Sequence, residues 1–109
     1  MLKVLFICSE NRLRSPTAAA VFSNYPGIEA RSAGTNRSCA TPLSAELVAW
    51  ADKILVMEKH HRNKLRKHFR EALGAKPVWV LGIPDDYDYM DPGLVAILKQ
   101  VVPRLLNVA

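Results

Sequence analysis

The run Val4-Leu5-Phe6-Ile7, which stops at Cys8, constrains this 109-residue chain more than any other stretch. A strand with one wet face alternates apolar and polar residues, whereas an unbroken apolar run needs cover on both faces, as in a parallel sheet. Helices supply that cover, and helical stretches alternate with strand-like runs along the rest of the chain. Ser15 and Pro16 read as N-cap and first helical position, ahead of the alanine-rich run Thr17 to Phe22. Tyr25-Pro26-Gly27 stops that helix, and Ile28 to Ala33 alternates as an edge strand does. Thr41-Pro42 repeats the cap-then-proline pattern before Leu43, Leu47 and Trp50, and Lys53 to Met57 reads as a third strand. Residues 58–73 read as a helix with Leu65, Phe69 and Leu73 on one stripe, and Pro77 to Leu81 as a fourth strand. Asp91-Pro92 opens a last helix expected to bury Leu94, Ile97, Leu98, Val101 and Leu105, with Pro103 kinking or shortening it. The expectation is one α/β domain over residues 1–109, a three-layer sandwich of four parallel strands with helices on both faces.

A short loop running from a parallel strand into a helix presents consecutive backbone N–H groups and the positive end of the helix dipole, a combination that favours an anion. The loop here is Ser9-Glu10-Asn11-Arg12-Leu13, bracketed by Cys8 and Arg14. Arginine offers a planar fork of donors that matches two phosphate oxygens. Cysteine offers a nucleophile whose attacking form, the thiolate, is favoured by helix N-termini and cations. A cysteine and an arginine at this spacing are common on their own. Their coincidence with a strand end, a cap and a proline favours a catalytic phosphate loop over a buried thiol beside a surface charge.

Cys8, Asn11, Arg14, Ser15 and Pro16 match the phosphate-loop motif of the low-molecular-weight protein tyrosine phosphatases, a family that the chain resembles over most of its length. Arg31-Ser32-Ala33-Gly34-Thr35, Ala51-Asp52 with Met57, and Ile83-Pro84-Asp85 extend the match, and the likeness is greatest to a small bacterial subgroup of predicted phosphatases. The resemblance implies the strand order 2-1-3-4 and a phosphocysteine intermediate on Cys8. It also implies phosphate binding by Arg14 and the loop residues Ser9, Glu10, Asn11, Arg12 and Leu13, with Asn11 and Ser15 holding the loop and assisting the thiolate. Such a reaction needs a carboxyl group that protonates the departing oxygen and then activates water. Asp85 matches the family's acid; Asp86, standing where the family has proline, is the alternative, ahead of Asp88. Asp91 is explained as a helix cap. Tyr87 takes the place of an aromatic that borders the family's pocket and can stack on a phenyl ester. Glu10 stands where the family has glycine and Arg12 where it has an apolar residue, and the chain is shorter than typical members. Ligands of open α/β sheets bind beyond the carboxyl ends of the strands, where Cys8 and Asp85 both fall.

Two cysteines make neither a disulfide framework nor a metal site; Cys39 reads as a loop thiol, with a reserve partner for oxidised Cys8 as the alternative. His60, His61 and His68 are assigned to packing rather than metal binding, and neither a metal nor a cofactor is expected. No run approaches the ~20 apolar residues of a membrane span. The N-terminus enters a strand directly, so a cytoplasmic location is expected. The formal charge of +5 suits a phosphate-bearing partner. Much of it lies in Lys59, Arg62, Lys64, Arg66, Lys67 and Arg70, read as a solvated face with docking to nucleic acid or an acidic partner as the alternative. The expected activity is metal-independent hydrolysis of phosphotyrosine in proteins, or of a small aryl phosphate. An arsenate reductase-like enzyme and a phosphate- or RNA-binding module are the alternatives.

Overall fold

The computed structural model describes residues 1–107. Its strands are β1 (Leu2–Cys8), β2 (Ile28–Gly34), β3 (Lys53–Val56) and β4 (Val78–Val80). All pair in parallel, in the order β2-β1-β3-β4. The helices are α1 (Arg14–Phe22), α2 (Ala45–Trp50), α3 (Lys59–His68), α4 (Arg70–Leu73) and α5 (Pro92–Leu106).

The apolar run of β1 divides between two cores. Val4, Phe6 and Cys8 join Leu55 and Met57 beneath α1 and α5, where Val21, Phe22, Leu94 and Leu98 pack. Leu5 and Ile7 join Ile54 and Val56 on the opposite face, under Val48, Leu65 and Leu73. Helices therefore cover both faces of the sheet, because successive side chains of a strand point to opposite sides. No helix among the described residues is long and apolar enough to cross a membrane.

Several local expectations are corrected. Ser15 does not cap α1: the helix already includes Arg14, its N-cap is Leu13 with no side-chain bond, and Ser15 is buried inside the first turn. Thr41-Pro42 does not open α2; Pro42 instead bridges to Gly34, and Ser44 is the cap, accepting from the Leu47 N–H at 3.2 Å. The helix expected over 58–73 breaks at Phe69 (φ −131, ψ 32), so that α3 and α4 present Leu65 and Leu73 to the same core with half-buried Phe69 between them. The buried stripe of α5 is Leu94, Leu98, Val102 and Leu106, one residue on from the expected Val101 and Leu105, and the helix continues through Pro103.

Hydrogen bonding continues beyond the ends of β1, β3 and β4. The N–H of Met57 donates to the Ile7 carbonyl at 3.0 Å and that of Ile83 to Met57 at 2.9 Å. These bonds carry Glu58 and the segment from Ile83 to Asp85 to the edge of the sheet where the loop after Cys8 begins.

Candidate active site

Cys8 ends β1 with its side chain 3% exposed. The loop beyond it turns through Asn11, whose φ of 53° lies in the left-handed region that asparagine tolerates better than most residues. That turn directs the Asn11 N–H onto the Cys8 Sγ at 3.2 Å. Ser15 Oγ lies 2.9 Å from the same sulfur and 2.9 Å from Asn11 Oδ1. A hydroxyl carries one proton. With a thiol at Cys8, the S–H points to Ser15 and the Ser15 hydroxyl to Asn11; with a thiolate, the Ser15 proton turns to sulfur. The triad thus changes donor direction with the charge on Cys8. Glu10 has no positive φ, so this backbone has no need of glycine there. Its carboxylate is drawn to the loop after β2, accepting from Asn36 Nδ2 at 2.6 Å.

Arg14 is 3% exposed although it carries a full charge. Its Nη1 is paired with the Glu58 carboxylate and donates to the Ile83 carbonyl at 2.7 Å. Its Nε is 3.6 Å from Asp85 Oδ1. One edge of the guanidinium is therefore anchored by protein, leaving Nε and Nη2 as the two-donor fork for a guest. The hydrogen bond from Arg14 holds the Glu58 carboxyl below its ordinary range.

Glu58 is also the N-cap of α3 and is tied to His61 twice: its carbonyl accepts from the His61 N–H at 3.1 Å, and its own N–H donates to His61 Nδ1 at 3.0 Å. With Nδ1 accepting, the ring proton of neutral His61 sits on Nε2, which donates to Ser9 Oγ at 2.9 Å. Burial first, then the neighbouring charges of His60 and Arg14, lower the His61 pKa to about 4. The imidazole is buried, as the packing assignment expects, and it also ties down the loop after β1 through Ser9.

Cys8, Ser9, Glu10, Arg12, Leu13, Arg14 and Asp85 line one cleft of about 210 Å³. Asp85, 66% exposed, stands at its rim. Asn11 and Ser15 shape the loop from outside that lining. Asp86 does not join the lining. Tyr87, expected on the pocket wall, instead packs on the core beneath α1 and α5, close enough for a Cβ at Gly93 to sit 3.6 Å from its ring. Cys39 lies against Gly34, where a Cβ would come within 2.7 Å of its sulfur and 2.6 Å of the Ser9 carbonyl. Only a glycine lets the β2 end, the loop after β1 and Cys39 approach one another so closely. Sequence reasoning missed Glu58 and the Ile83 carbonyl as anchors of Arg14; their one trace was their position just past strand ends on the expected ligand side.

No family model matches the chain. A curated relative, the protein-arginine-phosphatase of Geobacillus stearothermophilus, is 30% identical over 64% of this chain and 64% of its own length. The chain thus matches slightly less than two thirds of that relative. Among solved structures, the low-molecular-weight protein tyrosine phosphatase SP-PTP from Streptococcus pyogenes superposes with a TM-score of 0.79 at 18% identity, over 96% of this chain and 93% of that one. The tyrosine phosphatase Wzb from Escherichia coli K30, in complex with phosphate, gives 0.77 at 23% identity over 98% of each chain. The sheet order, the helices on both faces and these superpositions agree, and the chain has the fold of the low-molecular-weight protein tyrosine phosphatases.

Proposed function

We propose that this chain hydrolyses phosphate monoesters of tyrosine in proteins through a phosphocysteine intermediate. In the first step the Cys8 thiolate attacks phosphorus, the bond from phosphorus to the aryl oxygen breaks, and Asp85 gives its proton to that oxygen. In the second, Asp85 takes a proton from water, the oxygen attacks phosphorus, and phosphate leaves as the thiolate is restored. Arg14 holds two phosphoryl oxygens through both steps, and the loop amides face the charge that develops. The observation that carries this reading is the meeting of Cys8, Arg14 and Asp85 on one cleft, with the Asn11 N–H and Ser15 hydroxyl already on the sulfur. Asp85 is preferred to Asp86 because it alone of the two lines that cleft.

A second reading, phosphoarginine as the substrate, has support from the named activity of the curated relative and from the carboxylates of Glu10 and Asp85 along the cleft, which suit a cation. Against it, Arg12 lines the same cleft, is exposed, and repels a guanidinium. The test is turnover in chelator of one peptide carrying either phosphotyrosine or phosphoarginine. Phosphotyrosine is expected to give the higher kcat/KM, with Cys8→Ser inactive and Arg14→Lys down by about 10²–10³ in kcat/KM. Preference for phosphoarginine reverses the substrate assignment, and metal-free activity in Cys8→Ser removes the mechanism.

A further inference from the structure

A second cavity, of about 220 Å³, opens between the loop after β2 and α3 and is much the same size as the Cys8 cleft. Leu43 and Phe69 give it an apolar floor, and Thr35, Arg37, Lys64 and His68 complete most of its wall. No carboxylate lines it. Among the described residues, neither Arg37 nor Lys64 takes part in a side-chain hydrogen bond or ion pair, whereas Arg14 is held by Glu58. Thr35 contributes to the lining with its hydroxyl turned away from the open space, so the polar character of the cavity comes from Arg37, Lys64 and His68.

Two cations without a protein partner beside a concave site attract an anion, and a dianion more strongly than a single charge, while the His68 imidazole adds a ring nitrogen for hydrogen bonding. The apolar floor favours an anion with a small apolar or ring body over a bare ion. We propose that this cavity is a second binding site for a phosphate monoester with such a body, separate from the Cys8 cleft and without chemistry of its own. It gives the basic face of α3 a role beyond solvation. Its two walls are also those that brace the phosphate loop: the Thr35 N–H donates to the Cys8 carbonyl and the Asn36 N–H to the Ser9 carbonyl, each at 2.9 Å, while His61 of α3 bonds Ser9. The ester's source is either a second phosphorylated residue on a polypeptide or a free small molecule.

The test is an amide-shift titration of the full chain with phenylphosphonate, a stable mimic of an aryl phosphate. Two saturable sets of shifts are expected, one over residues 9–15 and one at Thr35, Arg37, Lys64 and His68. Arg37→Met with Lys64→Met is expected to weaken the second set at least tenfold and leave the first in place, which also reports that the variant is folded. Peptides carrying one or two phosphotyrosines, titrated against Cys8→Ser, separate the sources. Tighter binding of the doubly phosphorylated peptide that is lost with the two cations points to a polypeptide, and equal binding to a free ester. Absence of a saturable second set, or its survival in the double variant, overturns the proposal. Neither result depends on turnover at Cys8.

Discussion

Ser15 shows how much of the proposed chemistry rests on one hydroxyl. It sits 2.9 Å from both the Cys8 sulfur and the Asn11 side chain, and only its hydroxyl proton can follow the change from thiol to thiolate and back. A hydrogen bond to a charged group is worth about 1.5–3 kcal/mol, so Ser15→Ala is expected to lower kcat on an aryl phosphate by about 10- to 100-fold. KM should change little, because the hydroxyl touches sulfur rather than the bound phosphate. Steady-state kinetics on the variant check both. Glu58 acts at one remove, by orienting the Arg14 fork. Glu58→Ala frees that guanidinium and is expected to weaken competitive inhibition by inorganic phosphate roughly tenfold, with Glu58→Gln, which keeps an acceptor, restoring most of it. A merely structural role would cost stability and leave the inhibition constant alone.

At the scale of elements, α3 joins the site to the stability of the fold. Neutral His61 spans the Glu58 backbone and the Ser9 side chain, and its pKa falls from 6.5 to about 4 on folding. Between those values the unfolded chain binds more protons than the folded one, so stability rises with pH across the window and is lost as pH falls from 6.5 towards 4. The loss is on the order of 2–3 kcal/mol at most. Glu58, lowered from 4.5 by Arg14, contributes stability above that value and loses it further into acid, so its effect begins below that of His61. Urea midpoints at pH 7 and 4.5 are expected to differ in the native chain, and His61→Gln is expected to flatten this interval. The strands and the loop proposed to hold phosphate were legible because each is a contiguous signal: an apolar run, then a cysteine, an arginine and a serine-proline pair. The partnership of Arg14 with Glu58 was not, since 44 positions separate them and only the parallel register of β1 and β3 brings them together. The cap expected at Ser15 failed for a related reason: the residue faces inward to Cys8 and Asn11, and the helix starts one residue earlier on Arg14.

For the molecule as a whole, two cores hold the sheet rigid from both faces while its carboxyl edge stays open, and everything the proposed reaction uses lies along that edge. The order β2-β1-β3-β4 places β1 in the interior, flanked by β2 and β3, so the cysteine loop leaves from a strand that cannot shift without breaking both ladders. The extensions beyond β3 and β4 deliver the anchors of Arg14 and the rim aspartate. A covalent bond from phosphorus to the Cys8 sulfur is the central claim of this account. Rapid acid quenching of the Asp85→Asn variant with an aryl phosphate, followed by peptide mass spectrometry, reads it directly. The account predicts one phosphoryl group on the peptide containing Cys8, formed at a rate no slower than turnover; turnover with that peptide unmodified, or a phosphoryl group carried by any other side chain, contradicts it.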